Sequence, residues 1–111
     1  MDISKITIGQ AREIAGLVGQ KPVASHPYTV GQKMLIRTVT MTLTGRVQAV
    51  HEHELVLEDA AWIADTGRYG TALLTGVLNE VEPYPAGSVV VGRGAIVDAC
   101  EWGHDLPRAQ K

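Results

Sequence analysis

With 111 residues and 45% hydrophobic content, the chain has room for one compact domain, residues 1–111, and not for two ordinary ones. Ten basic against twelve acidic residues leave a formal net charge of −2, which argues against the diffuse phosphate attraction of a strongly basic nucleic-acid binder while leaving room for a local basic rim. The single cysteine, Cys100, excludes an internal disulfide, and with neither a secretory leader nor an apolar run of roughly 20 residues the expectation is a cytoplasmic protein without membrane association.

Ile8, Ala11, Ile14, Ala15, Leu17 and Val18 recur at helical spacing. Thr7 and Gln10 have the form of a capping box and Gly19 of a stop, so an N-terminal helix is predicted from about Ile8 to Val18, within residues 1–19. Residues 20–32 hold Pro22, Pro27 and Gly31 and read as a connection. Met34 to Thr44 alternates, with Leu35, Val39, Met41 and Leu43 on one parity and four threonines on the other, which predicts one half-buried strand interrupted only by Arg37. Gly45 permits a bend, and Val47, Ala49 and Val50 carry the strand to a His51-Glu52-His53-Glu54 turn.

Leu55 to Asp59 begins the antiparallel return strand, extending through Ile63. Residues 64–87 surround the apolar run Ala72-Leu73-Leu74 with glycines, a pattern too short to separate a helical turn from a loop, and Pro83 and Pro85 read as a break. Ser88 to Val91 and Ala95 to Trp102 are predicted strands around a Gly92-Arg93-Gly94 turn, and residues 103–111 read as a polar tail, mobile unless docked on a neighbour. The order is thus a helix followed by about five strands, a mainly β fold with an N-terminal α-helix.

Two segments, residues 33–59 within a first motif region of 33–63 and residues 88–102, together resemble the paired signatures of the Sm-like family. Gly45 looks like the family's bend glycine, Val47 like the aliphatic residue two positions on, and Leu55 and Leu57 like the alternating residues after the turn. Arg93-Gly94 looks like the arginine and glycine between the last two strands, followed by Val97 at the matching aliphatic position. The resemblance implies a five-stranded, strongly bent antiparallel barrel of SH3 type with a long insertion, residues 64–87, between strands 3 and 4. It also implies a homo-oligomeric ring in which the last strand pairs with a neighbour's fourth strand.

The turn departs from the family pattern. His51 stands where an aspartate is usual, Glu54 where an asparagine reads a base, and His53 where a side chain stacks. A carboxylate is an acceptor without a donor, so Glu54 cannot copy an asparagine, whereas His53 can stack and Arg93 can meet a phosphate or a base edge. The implied function is a non-enzymatic ring binding RNA or a nucleotide through His53, Glu54, Arg93 and Gly94, with Arg68 and Tyr69 as further ligand contacts in an Asp65–Gly70 loop that otherwise reads as a structural turn. The competing expectation is an oligomeric adaptor or sequestering protein of a phage or mobile element, trapping a small signalling nucleotide or a host protein.

Other chemistry has little footing. His51 and His53 with Glu52 and Glu54 have metal-compatible spacing but no third fixed ligand, and a solvated turn explains them; no metal or cofactor is expected. No serine has a nucleophile context, Cys100 lies in a predicted buried strand, and Glu58 and Asp59 should point to opposite strand faces. Trp62 and Trp102 read as core or subunit-interface residues, and Tyr28 and Tyr84 as packing over the barrel ends.

Overall fold

The computed structural model describes residues 26–111, so the predicted helix at Ile8–Val18 lies outside the described residues. Among these residues six strands form one antiparallel sheet: β1 (Lys33–Thr38), β2 (Thr42–Val50), β3 (Glu54–Asp65), β4 (Glu80–Pro83), β5 (Val89–Gly92) and β6 (Ile96–Glu101). A short helix, α1 (Tyr69–Thr75), lies between β3 and β4, and a 3₁₀ turn at Arg93–Ala95 joins β5 to β6. The order is β4-β3-β2-β1-β6, and β5 pairs with the first half of β3 while β4 pairs with its second half.

The predicted Met34–Thr44 strand is two strands. Thr38 ends β1, and its hydroxyl accepts the amides of Met41 at 3.0 Å and Thr40 at 3.3 Å while donating to the Met41 carbonyl. A threonine that satisfies three backbone groups in this way closes a tight turn. Alternation carries on through Val39 and Met41, yet both are exposed.

Gly45 marks the bend. A Cβ there would lie 3.1 Å from the side chain of Leu57 and 3.4 Å from that of Ala60, so the close approach of β2 to β3 is relaxed at a glycine and would press on buried neighbours at any other residue. On the facing strand Asp59 takes a left-handed φ of 51°, and the β2–β3 register shifts between Thr44 and Arg46. That bulge overturns the expectation that Glu58 and Asp59 diverge: Arg46 Nη1 reaches Asp59 at 2.7 Å and Glu58 at 3.9 Å.

The sheet is buried on both faces. Met34, Ile36, Leu43, Val47, Leu55, Leu57, Ala60 and Val91 form one cluster, while Leu35, Ala61, Ile63, Ala72, Leu78, Val81, Trp102 and Leu106 form a second. Burial on opposite sides explains why Met34-Leu35-Ile36 is a continuous apolar run. Each fully buried Leu or Ile contributes about 1.5–3 kcal/mol, and α1 supplies Ala72 to the second cluster.

Two expectations for the rest of the chain change. The segment read as a break at Pro83 holds β4, with the proline at its last position. Residues 103–111 are docked on their own chain: Leu106 is buried, the Lys111 backbone exchanges two hydrogen bonds of 3.0 Å with Val81, and Lys33 Nζ donates to the His104 carbonyl at 2.8 Å. Among the described residues no helix is long and apolar enough to cross a membrane.

Candidate functional site

Pairing of β5 with β3 places Glu54 opposite Gly92, which brings the β2–β3 turn against the 3₁₀ turn. The Arg93 amide donates to the His53 carbonyl at 2.9 Å, and its guanidinium donates through Nη1 to the carbonyls of His51 at 2.8 Å and Glu52 at 3.2 Å. His53, Glu54, Arg93 and Gly94, distant in sequence, therefore share one end of the sheet. Half-buried Arg93 closes the histidine-rich turn.

An aromatic side chain completes this corner. The Arg93 guanidinium lies over the Tyr28 ring, 5.4 Å from its centroid, and His26 stacks on the same Tyr28 ring at 5.9 Å and 29°. His26 Nδ1 also accepts the Tyr28 amide at 3.1 Å. Tyr28 also packs against the first cluster, in line with the packing role expected of it; the His-Pro-Tyr spacing that lets one ring stack on the next is the signal for its added contact with Arg93. Tyr28 and Arg93 line a groove of about 410 Å³ that runs beside β6 over Met34, Ile96 and Ala99.

Solvent reaches the turn side chains freely, with His53 78% and Glu52 83% exposed and 3.9 Å apart. Gly94 is open among the described residues: a Cβ on it would meet none of their atoms within 4 Å. Among the described residues no group of three or more His, Cys, Asp or Glu side chains is placed to hold a metal ion.

Arg68 and Tyr69 belong to a different place. Arg68 is the exposed residue preceding α1, and Tyr69 packs against the second cluster, on the sheet face away from Tyr28. Arg37 lies 4.6 Å from the centre of the Tyr69 ring while forming a two-pronged ion pair with Asp98. Burial, with the neighbouring Cys100 thiol, pushes the Tyr69 hydroxyl above the ordinary phenol range. The hydrogen bond from Arg37 holds the Asp98 carboxyl below its usual range and raises Arg37 in turn.

The loop before α1 is tied to itself. Asp65 Oδ1 accepts the Gly67 amide at 2.8 Å, and the Asp65 carbonyl accepts the Asn79 amide at 3.0 Å. Gly67 has a φ of 73°, the left-handed turn geometry that suits glycine. The Gly67 amide is thus used in closing the turn.

The two tryptophans separate as well. Trp102 is 1% exposed and donates from Nε1 to the Asp105 carbonyl at 3.1 Å, whereas Trp62 is 43% exposed on β3. No protein-family model matches the chain, and no curated protein matches its sequence.

Proposed function

We propose that the chain is a non-enzymatic, ring-forming protein of Sm-like architecture that binds single-stranded RNA or a nucleotide at the corner formed by His53, Glu54, Arg93 and Gly94. The observation that carries this reading is the junction of the two turns, where Arg93 is bonded through backbone and side chain to residues 51–53. Strand order supports the architecture: β5-β3-β2-β1-β6, with a 3₁₀ turn joining the two ends, suits a strongly bent small barrel.

Self-association has support from the same ends. Among the described residues β5 pairs only with β3 and β6 only with β1, so each keeps an unpaired outer edge, and Val90 and Val97 are exposed on them. Unpaired edges carrying exposed valines are templates for pairing with another copy. A ring built this way repeats one weak site per subunit and multiplies it through effective concentration.

At the site His53 supplies the stacking face and Arg93 a cation already oriented by Tyr28. Glu54 accepts hydrogen bonds only, which favours bases that present N–H groups and disfavours close phosphates. The test is binding of a short single-stranded RNA, and of free nucleotides, by wild type and by His53→Ala. Loss of the stacking face should weaken RNA binding by about 1–3 kcal/mol per base held, with the sedimentation profile unchanged. Equal affinity of the two proteins would remove the site from consideration, and a wild-type monomer at all concentrations would remove the ring.

A further inference from the structure

The exposed indole of Trp62 sits outside the site described above, on the other half of β3. Trp62 pairs across the sheet with Leu43 on one side and Glu82 on the other, so its ring and the Glu82 side chain share a face. Glu80, two residues earlier on β4, shares the Glu82 parity, while Val81 between them is buried in the second cluster. Two grooves flank the indole. One, of about 360 Å³, is lined by Met41, Glu82, Pro83, Tyr84 and Pro85. The other, of about 470 Å³, is lined by Ala64, Asn79, Glu80, Val81, Glu82 and Lys111.

This surface combines an aromatic face, two carboxylates and an apolar trough. Among the described residues neither Glu80 nor Glu82 is within ion-pair distance of a Lys, Arg or His; Glu82 only accepts a hydrogen bond from Gln110 Nε2 at 2.9 Å. A guanidinium laid on an indole gains from the ring quadrupole and can also donate to a carboxylate in its plane. Phosphate is repelled by the same pair of carboxylates, so the charge selects a basic ligand over RNA. The trough between Met41, Tyr84 and Pro85 adds an apolar wall of the kind that receives extended, proline-containing segments.

We propose that the Trp62 face is a docking site for an extended peptide segment of a partner protein that carries an arginine next to proline or an aliphatic residue. The arginine side chain stacks on Trp62 between Glu80 and Glu82, and the adjoining apolar residue fills the Met41–Tyr84 trough. This site is independent of the turn corner and of the ring.

The test uses the full chain and two synthetic ten-residue probes, one alternating proline and arginine and one alternating proline and glutamate. Trp62 is itself the reporter, because Trp102 is buried and insensitive to a surface ligand. The expected result is a saturable fluorescence change with the arginine peptide alone. The double variant Glu80→Gln/Glu82→Gln should weaken it at least about tenfold, and removing two charges elsewhere, at Glu101→Gln/Asp105→Asn, should weaken it far less. Circular dichroism of each variant checks that the sheet is intact. Equal weakening by the two double variants would reduce the effect to net charge and overturn the proposal, as would absence of any change with the arginine peptide. A Trp62→Arg variant that dissolves a wild-type oligomer would assign the face to contacts between copies and overturn it too.

Discussion

The backbone amide of Arg93 donates to the carbonyl of His53 at 2.9 Å, and the same residue's guanidinium reaches the two preceding carbonyls of the turn. Arg93 is therefore a structural clamp on the β2–β3 turn as well as a candidate ligand contact. Truncation to alanine keeps the amide bond and loses the guanidinium bonds and the stack on Tyr28. Charge-assisted hydrogen bonds count more than neutral ones, but this side chain is part-exposed, so Arg93→Ala should cost about 1 kcal/mol in urea unfolding. Arg93→Lys should recover only part of it, since an ammonium lacks the planar fork. An unchanged midpoint for Arg93→Ala would show that the turn does not need its clamp.

The two glycines singled out from the sequence should respond differently to a methyl group. Gly45→Ala drives a Cβ to 3.1 Å from Leu57 at a site of fully buried neighbours, and overpacking of this kind costs about 1–3 kcal/mol. Gly94→Ala meets nothing within 4 Å among the described residues and should leave thermal stability of the monomer unchanged. If Gly94→Ala nevertheless shifts the sedimentation profile, its requirement lies in contact between subunits. Matched melting losses for the two variants would contradict the bend assignment at Gly45.

Much of the sheet is legible in the amino-acid pattern, and the exceptions have physical causes. The return strand from Leu55 through Ile63 follows from its apolar run, and the Gly45 bend from the absence of a side chain. The break at Thr38–Thr42 is hidden because its stabilising feature is a hydroxyl bonding to nearby backbone, while the alternation of the sequence continues across it. Likewise Asp59 adopts a left-handed φ that composition does not announce, and this turns Glu58 and Asp59 toward one arginine. Of the site, the meeting of Arg93 with residues 51–53 follows from the pairing of β5 with β3, which sets the two turns side by side. The position of Tyr69 under Arg37, and the acidic surround of Trp62, depend on which strand becomes whose neighbour and cannot be read from local pattern.

Thr44 is 0% exposed, and among the described residues its hydroxyl has no hydrogen-bond partner. Its cross-strand partners Leu35 and Ala61 both belong to the second cluster, so the hydroxyl is desolvated among apolar groups. Valine has nearly the same shape without the polar atom. Thr44→Val should therefore stabilise the chain by about 1–3 kcal/mol, the usual penalty for an unsatisfied buried polar group. Chemical denaturation decides the sign, and a destabilised Thr44→Val would mean that the hydroxyl has a partner such as an ordered water.

The Arg37–Asp98 pair ties β1 to β6 and gives the fold an acid-sensitive contact. Asp98 is held below its ordinary value in the folded chain by the Arg37 hydrogen bond, so folding favours the ionised carboxylate. The contribution is fully present above the unfolded-state value of about 4 and is lost as pH falls through the lower folded value. Asp98→Asn should accordingly reduce the difference in melting temperature between pH 6 and pH 3 relative to wild type. Because both side chains are well exposed, the change should be small and should shrink in high salt. A salt-independent difference would point to a cause other than this pair.

The docked segment after β6 makes the strongest stability prediction, because several contacts converge on His104. Its Nε2 donates to the Leu73 carbonyl at 2.8 Å near the end of α1, its ring meets Trp102 edge-on at 4.9 Å, and its carbonyl accepts Lys33 Nζ. Gly76, the C-cap of α1, has a φ of 79°, and a Cβ there would fall 2.6 Å from His104 Cγ. Both the left-handed backbone and the lack of space forbid a side chain, so Gly76→Ala should destabilise by more than the backbone strain alone, about 2–4 kcal/mol. Leu106→Ala, which empties part of the second cluster, should cost about 2–3 kcal/mol. Combined, the two losses should fall short of their sum, since His104 and Leu106 hold the same segment and its release by one change removes what the other would have lost. Full additivity in a double-mutant cycle would mean that the segment does not dock as a unit.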